Sequence, residues 1–429
     1  MTLNLKSMAL AGVGALAVLL ASGAAQAQST TLTLLIDNGP QTVPVFEAYV
    51  AAFEAANPDI NIEIETRPGG GEGDNIVKTR LATGAMADIF TYNSGSLFQA
   101  INPQQNLLPL TNEAWQANVQ DSFKSVVTSA GDVYGAPYAS AMGGGILYNI
   151  PLYKELGLTP PKTWDEFMAN NEKIKAAGKV AVIQTYADTW TSQLFVLADF
   201  YNVMAAVPDF AEKYTAGEAK YASTPAALQG FERLQQVHDA GYLNEDFGAA
   251  NYNDGIRMVA TGEGAHYPML TFAVGAIEEI SPGNTANVGF FAQPGNSADA
   301  NGLTTWMPDA VYIPKTVSNE EAAKKFVAFV ASPEACEVRN ATVNPTGPYL
   351  VKGCELPAEV PPAVSDMLPY FADGGNNGPA LEFLSPIKGP ALEQITVEVG
   401  SGIRSAADGA ALYDEDVRKQ AQQLGLAGW

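Results

Sequence analysis

Apolar residues follow two alternating periods once the chain passes position 30, and each change of period marks an element. Thr31–Ile36 is a β-rich apolar run that ends at the turn signal Asn38-Gly39-Pro40. Val45, Phe46, Tyr49 and Phe53 then recur at helical spacing, and Asn57-Pro58 ends that helix. Ile60, Ile62 and Ile64 alternate as a second strand. A Gly-rich loop, 69–73, leads into a second helix ending near Gly84, and Ala87–Phe90 is the third strand. Strand, helix, strand, helix, strand in so short a stretch predicts parallel βαβ units with right-handed crossovers.

Helices keep alternating with short strands through the middle of the chain. Thr163-Trp-Asp-Glu166 reads as a capping box, its hydroxyl accepting from the Glu166 backbone N–H while the Glu166 side chain reaches back. Ser318-Asn-Glu-Glu321 repeats the device before an amphipathic helix through Phe326, Val327 and Phe329. No internal repeat or low-complexity block interrupts the pattern. The class is α/β, with too many elements for one sheet.

Charge narrows the function. Acids outnumber bases 46 to 23, and a surface so acidic repels phosphate backbones and anionic lipid, which argues against nucleic-acid and membrane-surface partners. Residues 1–27 read as a secretory signal: one charge at Lys6, an apolar run from Met8 to Leu20, and a small-x-small site at Ala25-Gln26-Ala27. The run falls short of the roughly 20 residues a membrane span needs. No later stretch is long and apolar enough, so an exported periplasmic protein is expected. Cys336 and Cys354 suit that oxidising compartment. A disulfide is the favoured reading and two buried thiols the alternative; the bridge would contribute roughly 3 kcal/mol in the chain-entropy picture.

Enzymatic motifs are sparse. The run Gly69-Gly70-Gly71-Glu72-Gly73 lacks the Gly-Lys-Ser/Thr ending of a P-loop, and Glu72 and Asp74 would repel an anion, so it reads as a flexible loop. There is no Gly-x-Ser-x-Gly elbow, and neither His238 nor His266 sits in a nucleophile context. No metal site or cofactor is expected. Polar and aromatic residues do gather at strand ends, where open α/β sheets bind ligands. Asn38 and Gln41 follow the first strand, and Tyr92, Asn93 and Ser94 the third. Trp190 sits in the polar run Asp188–Ser192, and Trp306 and Asp309 in Thr304–Asp309. Singly each fits a structural role. Together they offer what a sugar requires, ring faces for C–H surfaces and fixed hydrogen-bonding groups for hydroxyls.

Three stretches of the chain carry a family resemblance. The first is Phe46–Asp59 followed by Lys78-Thr-Arg-Leu-Ala82 and Ala87-Asp-Ile-Phe90. The second joins Tyr134-Gly-Ala-Pro-Tyr138 and Leu147-Tyr-Asn149 to Gly157-Leu-Thr-Pro-Pro-Lys-Thr-Trp-Asp-Glu-Phe167. The third is Asp309–Pro314 leading into Glu320–Val327. With these the sequence resembles the extracellular solute-binding proteins of ABC importers, specifically the sugar- and oligosaccharide-binding, maltose-binding-protein-like family. The resemblance implies a two-lobed periplasmic-binding-protein fold, each lobe a mainly parallel sheet flanked by helices, joined by crossing hinge strands. It places the N-lobe at 28–139 and 306–335, the C-lobe at 144–302 and 336–429, and the crossings at 140–143 and 303–305. Gly143-Gly144-Gly145 would suit a backbone that changes φ/ψ at the first crossing. To the residues above it adds Met269 to Thr271, Thr346 and Tyr349 as ligand contacts, and matches Trp190 to a stacking position and Asp309 to a hydroxyl-binding acid.

The function so implied is capture of a neutral sugar, mono- to oligosaccharide, by a monomer that delivers it to a membrane ABC permease. A polyamine or polyol derivative is the nearer alternative. A polyamine needs several acids around aromatics, and Asp37, Asp188 and Asp309 are the ones near the nominated positions. An anionic ligand needs Arg or Lys, and the nominated loops contain none. The other alternative is a secreted carbohydrate-active hydrolase.

Overall fold

The computed structural model describes residues 30–429, so the expected signal segment lies outside the described residues. Its first three strands and two helices follow the apolar periods. β1 (Thr30–Asp37), α1 (Thr42–Ala56), β2 (Ile60–Arg67), α2 (Gly70–Thr83) and β3 (Ile89–Asn93) succeed one another. β1 pairs in parallel with β2 from Thr30 opposite Ile60 to Asp37 opposite Arg67, and on its other side with β3. Asn57 caps α1, and Gly84 ends α2 in the left-handed conformation, φ 70°, that glycine adopts without steric cost. The Gly-rich run is no flexible loop. Its second glycine opens α2, which places residues 70–72 in the first turn of a helix.

Two sheets divide the chain. The first runs β2, β1, β3, then Asp309–Tyr312 antiparallel to β3, then Gly135–Pro137. Leu34, Ile36, Phe46, Phe53, Phe90, Val311 and Phe326 fill the core around it. The second centres on Met142–Asn149, flanked by Gly264–Leu270 on one side and by Leu303–Trp306 and Val288–Ala292 on the other, all antiparallel to it. Phe167, Phe195, Phe231 and Tyr413 lie in one core beside this sheet, and Ile256, Tyr267, Met269 and Phe290 in another.

The chain passes between the sheets three times, at 138–141, at 307–308, and between Tyr312 and Asn377, where strand Asn377–Pro379 pairs in parallel with Leu303–Trp306. The second passage lies beyond the expected 303–305, because Leu303–Trp306 is a paired strand of the second sheet. Helix Pro333–Thr342 runs across the expected lobe boundary at 335/336 and packs along α1, beside the first sheet. None of the three glycines has a positive φ. They sit in strand Met142–Asn149 because Trp306, Met367 and Phe290 press on that strand: a Cβ on Gly144 would meet the Trp306 ring at 2.1 Å.

The capping box at Thr163 and Glu166 forms as read. At the later helix the cap moves by one residue. Asn319 accepts from the Ala322 N–H, while Ser318 donates its own N–H to Asp88. Cys336 and Cys354 are joined in a disulfide that ties helix Pro333–Thr342 to the segment after it. Among the described residues no helix is long and apolar enough to cross a membrane.

Candidate ligand-binding site

The carboxyl ends of β1, β2 and β3 open onto a cleft of about 630 Å³ whose opposite wall comes from the second sheet's elements. That size falls within the roughly 300–1,000 Å³ usual for small-molecule sites. The walls meet at two places. A Cβ on Gly70, in the first turn of α2, would lie 3.1 Å from Trp190, and one on Gly275 would lie 3.7 Å from Gln41.

One wall is aromatic. Trp190, Tyr252 and Phe272 pack ring against ring, with centroids 5.4, 6.0 and 5.7 Å apart. Trp190 and Phe272 are half-buried, leaving ring surface for the cleft. Asp188 holds this wall together by accepting the Tyr252 backbone N–H at 2.7 Å. Trp306 lines the floor, fixed by an indole N–H bond to Glu382 Oε1 at 2.6 Å.

The facing wall is polar. Asn38, Gln41 and Asn93 follow their strands into the cleft, as the strand-end argument expects. Asp37 accepts the Gly39 N–H at 2.9 Å, which folds the loop after β1. Five buried polar atoms on lining residues have no hydrogen-bond partner among the described residues: Gln41 Oε1, Gln193 Oε1, the Tyr252 hydroxyl, Arg67 Nε and Arg339 Nε. Buried polar atoms are normally paired, so these five are open to a polar ligand in the cleft.

Six of the nominated residues lie elsewhere. Successive strand residues point to opposite faces, so Asn93 reaches the cleft while Tyr92, 3% exposed, turns inward; Ser94, 2% exposed, is the first residue past the strand. The Ser94 hydroxyl donates to the Met307 carbonyl at 2.6 Å and its N–H to the Pro308 carbonyl, bracing the second passage. Met269 is fully buried in strand Gly264–Leu270. Thr271 accepts from Gly143 N–H and donates to the Thr346 carbonyl at 2.9 Å, while the Thr346 and Ser140 hydroxyls share a bond of 2.7 Å. Tyr349 bridges to Ser140 through its backbone and donates its hydroxyl to Asn340. Thr271, Thr346 and Tyr349 thus brace the first passage. The backbone of Asp309 lies opposite Asn93, at the cleft end of its strand.

Other lining residues come from segments the sequence reading passed over. Phe272, one position beyond the nominated 269–271, adds a ring to the aromatic wall. The start of α2 comes from the run expected to be a flexible loop, Arg67 from the end of β2 before it, and Tyr252, Arg339, Lys388 and Glu393 from helices and turns far along the chain. The cleft therefore contains cations although the nominated loops have none. Arg67 donates to the Pro68 and Thr91 carbonyls at 3.0 and 3.1 Å, and Lys388 pairs with Glu382 at 3.3 Å. Burial pushes the Asp74 and Glu393 carboxyls above their usual range. Lys78, Lys388 and Arg67 pull Asp74 back, and the Thr189 hydroxyl, bonded at 2.8 Å, does so for Glu393.

The model of the bacterial extracellular solute-binding protein family matches residues 39–335. Among curated relatives, the multiple sugar-binding protein of Streptococcus mutans is 26% identical over 76% of this chain and 78% of its own. Among solved structures, a chitin oligosaccharide binding protein superposes with a TM-score of 0.79 at 24% identity, over 92% of this chain and all of that one. RafE in complex with raffinose superposes with a TM-score of 0.76 at 22% identity, over the same shares.

Proposed function

The chain belongs to the bacterial extracellular solute-binding protein family, and from that membership we propose that it captures a saccharide between its two lobes and hands it to an ABC importer. The observation that carries this is the pairing of the two walls: the ring surface of Trp190, Tyr252 and Phe272 faces Asn38, Gln41 and Asn93 across one cleft. Sugar rings present apolar C–H faces and a rim of hydroxyls, and the two walls supply a surface for each. Named sugar binders among the relatives, including a melibiose/raffinose/stachyose-binding protein, support the same ligand class.

Ligand touching both walls is satisfied only when the lobes are together, so binding shifts the population toward the closed form, which the permease then recognises. The lobes divide at the three sheet-to-sheet passages, the last of them after helix Pro333–Thr342, which stays with the first lobe. The protein acts in the periplasm, as a monomer and without turnover. The test is calorimetry over mono-, di- and trisaccharides, polyols and spermidine, with melting followed in parallel. Heat from a saccharide, in the micromolar range of about −8 kcal/mol, is the expected result. A folded protein that gives heat only with spermidine, or with nothing, overturns it, as does turnover of a glycan that one carboxylate substitution abolishes.

A further inference from the structure

Three cations line the cleft, and two of them are accounted for. Arg67 is tied to two backbone carbonyls and shares its field with Asp74. Lys388 is paired with Glu382. Arg339 is different. It projects from helix Pro333–Thr342, is only 4% exposed, and makes no ion pair among the described residues; its Nε has no acceptor. Its guanidinium lies beside the hydroxyls of Tyr49 and Tyr349 and opposes the rise that burial imposes on both. Phenols are weak company for a full charge removed from water, a burial that is strongly unfavourable when no anion compensates it.

Among the described residues no acid of the cleft pairs with Arg339, and Glu72, in the first turn of α2, is exposed. Asp37, Asp188 and Glu393 each accept from a donor beside them, and Asp74 sits with Arg67 and Lys388. We propose that the ligand itself brings the anion: an acidic saccharide, a uronic acid or a short uronide, whose carboxylate is received by Arg339 at the end of the cleft lined by Gln41 and Tyr138. The proposal rests on the saccharide reading above and narrows it. A planar carboxylate matches the fork of a guanidinium in two parallel hydrogen bonds. One cation also balances one carboxylate, whereas a sugar phosphate carries about −1.5 to −2 charges and would leave the excess buried. The overall charge of −23 does not oppose this, since the interaction is made at contact with one uncompensated cation.

The experiment compares galacturonic and glucuronic acids, their dimers and trimers, the parent neutral sugars and the uronide methyl esters by calorimetry at one pH. A uronide should bind at least tenfold more tightly than the neutral sugar of equal length, and esterification should remove that preference without any change to the protein. Arg339→Gln should abolish the preference, and Arg339→Lys should keep part of it. Equal or tighter binding of the neutral sugar overturns the proposal, as does an Arg339→Gln variant that weakens both classes alike, or binding confined to sugar phosphates. If no saccharide of any kind gives heat while the protein melts normally, the saccharide reading itself has failed. That outcome is distinct from a neutral preference.

Discussion

Arg233 and Arg339 are both buried guanidinium groups, 2% and 4% exposed, and their surroundings are opposites. Arg233, in the second lobe, donates to Asp199 and to Asn296 and lies over the Trp164 ring at 5.2 Å. Arg339, on the cleft wall, has two tyrosine hydroxyls near it and, among the described residues, no paired carboxylate. The lobe core satisfies its charge internally, as folding demands. The cleft wall leaves a charge waiting. Where a protein buries a cation without an anion beside an opening, folding is a poor explanation for it and ligand binding a better one.

The largest expected effect tests the paired half of this contrast. Asp199→Ala would strand Arg233 in the core and should cost about 3–5 kcal/mol, read by chemical denaturation, with ligand affinity unchanged. A loss below about 1 kcal/mol would mean that the protein tolerates an unpaired buried guanidinium, and the isolation of Arg339 would then carry no message.

His266 extends the comparison to a second buried group in that lobe. It is fully buried between the Tyr153 hydroxyl at 2.5 Å and Asn171 Oδ1 at 2.7 Å, and burial pushes its pKa down to about 3. The unfolded imidazole titrates near 6.5, so between those values the unfolded chain takes up the proton first. Stability should be intact above about pH 6.5 and fall by about 1.4 kcal/mol per pH unit toward pH 3. Denaturation midpoints across that range should show this slope in the native protein and a flatter one in His266→Gln. Equal slopes would remove His266 from the acid response.

Affinity should behave in the reverse way on the cleft wall. Trp190→Ala removes one of three packed rings at the opening, and binding should weaken about tenfold, or about 1.4 kcal/mol, with melting little changed. A large fall in melting temperature at constant affinity would place Trp190 with the core residues.

The unequal legibility of fold and site follows from the same division. Apolar periodicity is a local signal, and it located β1, α1, β2 and β3 to within a few residues. Strand ends are local too, which is why Asn38, Gln41, Asn93, Trp190 and Trp306 all reach the cleft. Tyr92 and Met269 are neighbours of the right place that the alternation of a strand turns inward, while Ser94 and Thr271, just past their strands, spend their hydroxyls on the backbone of the passages. Arg339 and Tyr252 had no local mark. Their positions depend on how helix Pro333–Thr342 packs along α1 and how Asp188 holds the start of the helix at Tyr252, contacts between segments far apart in the chain.

The smallest expected effect is the one that decides between the two arginines. Arg339→Met keeps most of the side chain's length and removes its charge. Contact with Tyr49 and Tyr349 is partly retained, and the cost of holding an unpaired guanidinium out of water disappears. Replacing a buried ionic group by an apolar one of similar volume is often neutral or stabilising, so the ligand-free protein should change by less than about 1 kcal/mol in either direction. The result is informative because it opposes the Asp199→Ala loss in a residue just as buried. Should Arg339→Met destabilise by as much, the guanidinium would be a strut between α1 and the disulfide-tied helix. The two arginines would then be alike, and the cleft would have no cation held for its ligand.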